Sequence, residues 1–176
     1  SLTDFSKIII KLKPVIDQYQ LTPFEIVIVS ALDYFRHKQV DLLVLEVGLG
    51  GRLDATTAHP FRPIIAIASI GLDHCEYLGD SLEEIAKEKG SVIQPKSIVI
   101  SAEQHEQVKK VLISIAAKQK ATLHFVEPLS REWNLGLDGD VQQQNAAVAK
   151  RTLESLRNYG WEIKEQDIRE GLEQAQ

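Results

Sequence analysis

A carboxylate inside an apolar run is the first feature that could carry chemistry. Glu46 stands in "VDLLVLEV", flanked by Leu43, Val44, Leu45 and Val47. If the run is buried, the carboxylate must be paired, protonated or bound to a cation, because an isolated buried charge is costly. Arg52 just downstream offers a salt bridge, and a divalent cation is the other way out. Asp73 and His74 follow a second apolar run, "PIIAIASI", and add a carboxylate and an imidazole. A third candidate lies in "SLEEIAKEKGS". Leu82, Ile85, Ala86 and Lys89 recur at i, i+3, i+4 and i+7, so Lys89 falls on the apolar face, while Lys87 joins Glu83 and Glu84 on the wet one. A lysine turned inward loses part of its preference for the charged form, and its neutral amine can act as a nucleophile or react with carbon dioxide. The plainer alternative is a lysine that snorkels to solvent or pairs with Glu46. Glu46, His74 and Lys89 together suggest a divalent-cation site without specifying a reaction. The glycines of "GLGG" let the backbone turn and approach a ligand, but they lack the Gly-Lys-Ser/Thr of a phosphate loop.

The elements that must position these residues follow from periodicity. Phe5, Ile8, Ile9, Leu12 and Ile16 have helical spacing over residues 4–20, with Pro14 expected to bend or divide that helix. "LTPFE" opens the next helix: Thr22 is the N-cap, Pro23 the first helical residue and Glu25 the reciprocal partner of a capping box. It should run to about Lys38. "VDLLVLEV", "PIIAIASI", "SIVIS" and "TLHFV" read as strands, the first two continuous enough for a parallel sheet covered on both faces. Ser81 opens a helix with a capping box through Glu84. A helix from about His105 to Gln119 presents Val108, Val111, Leu112, Ile115 and Ala116 on one face. An irregular patch, "EPLSREWNLGLDGD", precedes helices from about Gln142 to Asn158 and from Asp167 to Gln174. Strands alternating with helices mean an α/β fold: a mostly parallel sheet with helices on both faces, whose ligands bind beyond the carboxyl ends of the strands.

Composition narrows the partners. A chain of 176 residues with 44% hydrophobic content supports one sizeable core, and length alone argues for one domain. The net charge of −5 provides no basic footprint for nucleic acid or an anionic membrane. No apolar run approaches the roughly 20 residues of a membrane span. The one cysteine, Cys75, has no intramolecular partner, which fits a cytoplasmic location. There is no methionine, even at position 1, so the chain is expected to be a piece of a longer protein.

The ordered set "EVGLGGRLDAT", "GLDH", "LG" and "IAKEK", within "LTPFEIVIVSALDYFRHKQVDLLVLEVGLGGRLDATTAHP" and "SIGLDHCEYLGDSLEEIAKEKGSVIQP", closely resembles folylpolyglutamate synthases, including their bifunctional dihydrofolate synthase form. These are Mur-ligase-like, ATP-dependent amide-bond ligases. The likeness extends over about residues 22–174, because "VQQQNAAVAKRTLESL" is similar to the family's Gln-x-x-Asn-Ala helix at Gln142 and Asn145. The resemblance implies that Glu46 and His74 are magnesium ligands, with manganese able to substitute, and that Lys89 is carbamylated and supports the metal. It implies that Asn145, with Gln142, contacts the adenine of ATP. It implies that Thr22, Pro23, Phe24 and Glu25, with Leu53, Asp54 and Ala55, hold the pteroate part of the substrate. The implied reaction transfers the ATP γ-phosphate to a folate or dihydropteroate carboxylate, after which the amine of L-glutamate attacks the acyl phosphate. A monomeric parent enzyme is expected.

Departures are small beside that chemistry. "EKGS", with Gly90 and Ser91, stands for the family's "EKAG", Thr57 ends its "DATN", and Val141 stands where a histidine commonly precedes the glutamine. The family's phosphate loop is expected upstream of residue 1 and its C-terminal glutamate-ligase domain beyond residue 176. The chain would then be the distal part of the central ATPase domain, binding ATP poorly and inactive alone. The alternatives are another Mur-like peptide ligase, against which "TPFE" and "LDAT" argue, and a non-catalytic nucleotide-binding or interaction module.

Overall fold

In the computed structural model, which describes residues 1–59 and 61–175, the apolar runs of the second half form three strands: β1 (Ile64–Ile67), β2 (Ile98–Ala102) and β3 (Thr122–Val126). They pair in parallel in the order β1-β2-β3, with Ile64 opposite Ile98 and Ile98 opposite Thr122. Parallel neighbours need crossover connections, and helices supply them. Following α1 (Leu2–Tyr19) and α2 (Pro23–Lys38), α3 (Cys75–Leu78) and α4 (Leu82–Gly90) link β1 to β2. The link from β2 to β3 is α5 (Glu106–Gln119), and α6 (Asp140–Ser155) and α7 (Glu165–Glu173) close the chain.

Side chains alternate across a strand, so β2 reports on both faces of the sheet. Ile100 and Ala102 pack with Val148 of α6, and Ile98 and Val126 join that cluster. Val99 and Ser101 point the other way and are equally inaccessible. The opposite layer contains α5, whose Val108, Leu112 and Ala116 are buried as the periodicity predicts. Each large apolar side chain removed from water in this way stabilises the fold by about 1.5–3 kcal/mol.

Two compact units result where length alone suggested one domain. The first comprises Ser1–Leu49 and Leu53–His59; the second comprises Gly50–Arg52 and the described residues from Phe61 onward. In the first, α1 and α2 pair as a helical hairpin, and α1 buries none of its residues. Pro14 does not divide α1; the carbonyl that its missing N–H would have satisfied belongs to exposed Ile10, where water can take its place.

The largest correction concerns "VDLLVLEV". Residues 42–47 are extended in burial pattern, with Leu43, Leu45 and Val47 half-buried between exposed Leu42, Val44 and Glu46, but they form no strand. A parallel strand is defined by its ladder, and no described segment pairs with this one. The apolar run sets the alternation and cannot supply the neighbour. Ser81 also departs from expectation. Its hydroxyl accepts from Glu84 N at 3.3 Å, but the Glu84 carboxylate takes the Asp80 N–H at 3.0 Å and the Ser81 hydroxyl instead of the Ser81 N–H, so the box is half closed.

Candidate functional site

Two groups of residues form, one in each unit. In the second unit, His74 leaves the sheet just past β1 and caps the short helix α3 with a left-handed backbone, φ 51°. A positive φ is uncommon for a residue with a side chain and is often kept where position matters. Asp73 stabilises this turn: its Oδ1 accepts from His74 N at 2.9 Å, and its Oδ2 lies 3.5 Å from His74 Nε2. Both side chains are exposed.

The loop that carries them is fixed by a residue that the sequence reading overlooked. Gln104 is only 7% exposed. Its Nε2 donates to Ala68 O at 2.8 Å and to Ser101 Oγ at 3.1 Å, and its Oε1 accepts from Ile70 N at 2.9 Å. The available signal was a glutamine two residues past the strand "SIVISA", where a polar side chain facing the core needs a backbone partner.

Lys89 is half-buried on α4, whereas Lys87 is exposed, as the helical spacing predicts. Lys89 has no hydrogen-bond or ion-pair partner among the described residues. Beside it, Glu88 Oε1 accepts from Arg52 Nε at 3.0 Å, so Arg52 has Glu88 as its partner and not Glu46. The turn at Gly50–Arg52 is thereby seated on α4, and its glycines are required there. A Cβ on Gly51 would lie 2.8 Å from Glu88 O and 2.7 Å from Val92 Cγ1, while Gly50 has φ +66°. At the far end of the sheet, Gln144 Nε2 donates to Val126 O at 2.9 Å and anchors the start of α6 at the carboxyl end of β3. That anchor leaves Gln142 and Asn145 half-buried one turn apart, with Asn145 Nδ2 donating to Gln142 Oε1 at 3.2 Å.

In the first unit, α2 contacts the 310 turn Ala55–Ala58. The capping box forms as expected. Thr22 N donates to Glu25 Oε2 at 2.8 Å, and Glu25 N donates to Thr22 Oγ1 at 3.3 Å. The Thr22 backbone N–H, and then its hydroxyl, hold the Glu25 carboxyl below the usual glutamate value. Gly48 lies between the two segments: a Cβ there would stand 3.3 Å from Asp54 Oδ2 and 3.4 Å from Phe24 Cζ. Asp54 clasps this loop. Its Oδ2 accepts from Gly48 N at 2.9 Å and Leu49 N at 3.2 Å; its Oδ1 accepts from Thr56 N at 2.9 Å and Thr56 Oγ1 at 2.5 Å. Burial pushes this carboxyl up, but the Thr56, Leu49 and Gly48 hydrogen bonds outweigh burial and hold it below the usual aspartate value. Four donors fill the acceptor positions of a carboxylate. Neighbouring Leu53 is 83% exposed, and Pro23 is the first residue of α2.

Glu46 is exposed, which corrects the premise that its charge is buried. The structure thus groups Thr22, Pro23, Phe24 and Glu25 with Asp54 and Ala55 in the first unit, which also contains Glu46, and places His74, Lys89, Gln142 and Asn145 in the second. No group of three or more His, Cys, Asp or Glu side chains capable of holding a metal occurs among the described residues.

A parallel sheet covered on both faces, with its loops leaving the carboxyl ends of the strands, is the architecture of a Mur-ligase-like α/β domain. Comparison with known proteins narrows this class. The chain is 34% identical over 173 residues to the dihydrofolate synthase/folylpolyglutamate synthase of Escherichia coli, covering 88% of this chain and 39% of that protein. It is 36% identical over 132 residues to a folylpolyglutamate synthase of Arabidopsis thaliana, covering 73% and 23%. The crystal structure of folylpolyglutamate synthase from Thermotoga maritima superposes with a TM-score of 0.83 at 29% identity, covering 100% of this chain and 46% of that one. A complex of folylpolyglutamate synthase with AMPPCP and folate gives 0.80 at 26%, covering 92% and 46%. No family model matches the chain. The chain is a relative of the folylpolyglutamate synthase/dihydrofolate synthase family, and it spans 23% and 39% of the length of the two curated relatives described. No described helix is long and apolar enough to cross a membrane.

Proposed function

We propose that the chain is part of the central ATPase domain of an ATP- and Mg2+-dependent ligase that joins L-glutamate to the carboxylate of folate or dihydropteroate. The observation that carries this reading is the 34% identity to the bifunctional E. coli enzyme over 88% of the chain. A substrate carboxylate oxygen attacks the γ-phosphorus of ATP and ADP departs; the glutamate amine then attacks the acyl carbon and phosphate departs. Positioning and charge stabilisation account for such catalysis, so no nucleophilic side chain is required.

The donors suit a hard cation. Mg2+ is usually held by one or two protein oxygens together with substrate phosphates and water, not by an all-protein cage. An exposed carboxylate at Glu46 and an exposed imidazole at His74 are of the kind that could each contribute a donor to such a partly hydrated ion. Histidine is a less usual ligand for magnesium, so manganese is a plausible substitute. When bound, the cation neutralises the phosphates. Glu46 and His74 are each candidate ligands for it, and Lys89, half-buried and without a partner among the described residues, would support it as a carbamate. Gln142 and Asn145 offer amide donors and acceptors to the adenine edge. Thr22, Pro23, Phe24 and Glu25 with Leu53, Asp54 and Ala55 receive the pterin side, where Phe24 and Leu53 supply exposed apolar surface and the Asp54 clasp holds the loop.

The test is an assay of the full-length protein with ATP, glutamate and either dihydropteroate or tetrahydrofolate, alongside Lys89→Ala. Glutamate-dependent ADP release that falls at least tenfold in the variant is expected. No glutamate dependence with either acceptor overturns the ligase reading, and an unchanged Lys89→Ala rate removes Lys89 from it.

A further inference from the structure

We infer that Gln104 is a positioning residue that extends the sheet with its side chain and thereby fixes where His74 stands. In a parallel pair, a residue donates its N–H to the carbonyl before its partner and accepts from the N–H after it. Ile98 follows this rule toward its partner Ile64, donating to Pro63 O at 2.8 Å. The backbone ladder between β1 and β2 ends with Ile67 opposite Ser101. Beyond it, the Gln104 amide makes the same pattern around Ser69: Nε2 donates to Ala68 O at 2.8 Å and Oε1 accepts from Ile70 N at 2.9 Å. The primary amide replaces a peptide group, and β1 is held in register through Ile70, which is buried. Ser101 Oγ, which donates to Ala102 O at 2.9 Å, accepts the second Nε2 hydrogen and fixes the amide orientation.

The consequence lies immediately downstream. With Ile70 pinned, only Gly71, Leu72 and Asp73 separate the end of the sheet from His74 and its left-handed backbone. Ile70 is thus the fixed point from which the chain reaches His74. Only glutamine has the length together with an acceptor oxygen and a donor nitrogen on the same carbon. Glutamate keeps the acceptor for Ile70 N but sets a carboxylate oxygen against Ala68 O, and leucine keeps volume and loses both bonds.

The effect on metal binding rests on the ligase reading above, so the test pairs a measurement that needs that reading with one that does not. In the full-length protein, Gln104→Leu and Gln104→Glu are compared with wild type by amide hydrogen exchange, by the His74 imidazole NMR resonance without ligand, and by Mn2+ binding in the presence of AMPPCP followed by electron paramagnetic resonance. Gln104→Leu should exchange the Ile70 amide at least tenfold faster while the Val99 and Ile100 amides stay protected; Gln104→Glu, which keeps that acceptor but sets an oxygen against Ala68 O, should exchange it faster than wild type by a smaller factor, and both should shift or broaden the His74 resonance. Mn2+ should bind about tenfold more weakly, the lower end of what losing a residue that orients a metal ligand costs. Unchanged Ile70 exchange and an unchanged His74 resonance overturn the inference. So does Mn2+ affinity within twofold of wild type in a protein that binds Mn2+. A wild-type protein that binds no Mn2+ with the nucleotide overturns the metal-site reading, and the positioning role is then decided by the exchange and resonance alone. If Gln104→Leu fails to fold, the near-isosteric Gln104→Glu decides.

Discussion

The two units are held together by different means. The buried apolar side chains among the described residues all belong to the second unit, from Ile65 to Ile168, whereas the buried side chains of the first unit are Ser30 and Thr56. The sheet-edge residues His74, Gln142 and Asn145 therefore stand on a packed platform. The segments proposed to receive the pterin instead take their shape from local hydrogen bonds: the Thr22–Glu25 box and the Asp54 clasp. A packed platform resists change until it fails as a whole, while a hydrogen-bonded loop is altered one bond at a time.

The largest effect expected from breaking the platform is that of Leu112→Ala. Leu112 is fully buried on α5, and truncation there should cost about 2–5 kcal/mol and lower the thermal midpoint of the sheet-containing unit. Circular dichroism melts check it; a loss below about 1 kcal/mol would mean that α5 is not part of the core. Next comes Gly51→Ala. The added methyl would meet the Glu88 carbonyl, which backbone cannot easily vacate, so a cost of about 1–3 kcal/mol is expected together with loss of the Arg52–Glu88 pairing. A melt matching wild type would show that the 50–52 turn is not seated on α4.

Local chemistry proved legible in the sequence, and pairing did not. The Thr22 cap with Pro23, the apolar face of α5, the inward tilt of Lys89 relative to Lys87 and the strands β1 to β3 follow from spacing, because each depends on residues close in the chain. The run around Glu46 has strand periodicity but lacks a ladder, and whether a ladder forms depends on a distant segment. The same blindness hid Gln104, whose bonds reach Ala68 and Ile70 across the sheet. The alternative of an Arg52–Glu46 salt bridge fails for a related reason: Glu46 is nearer in sequence, but Arg52 pairs with Glu88.

Asp54 provides the sharper probe of the first unit. Asp54→Ala removes the acceptor for four donors, of which only those of Thr56 are buried, so a cost of about 1–2 kcal/mol is expected, confined to the 48–57 loop. Amide exchange at Gly48, Leu49 and Thr56 should accelerate while the Val99 amide does not. Acid should mimic the substitution. The folded carboxyl titrates below its unfolded value, so the clasp contributes fully above about pH 5, where both forms are ionised, and its contribution is lost as pH falls through about 3.9 toward the lower folded value. The Gly48 and Leu49 amide resonances should report a midpoint below that of a free aspartate; a midpoint at or above it would show that the four hydrogen bonds do not outweigh burial.

The smallest effect separates a complete cap from a half-closed one. In the Thr22 box both reciprocal bonds form, and Pro23 fixes the first helical φ, so Thr22→Ala should cost about 1 kcal/mol and fray the first turn of α2. Ser81 accepts from Glu84 N in the same way, but the Glu84 carboxylate is turned to Asp80 N. Ser81→Ala leaves that second bond standing, and the packing of Ile85 and Ala86 against the core continues to hold α4. It should therefore cost less than Thr22→Ala and leave the exchange of the α4 amides almost unchanged. Helix amide exchange in the two variants makes the comparison directly. Equal fraying in both would mean that packing lends α4 no more support than capping lends α2, and the contrast between a packed unit and a hydrogen-bonded one would not extend to the ends of their helices.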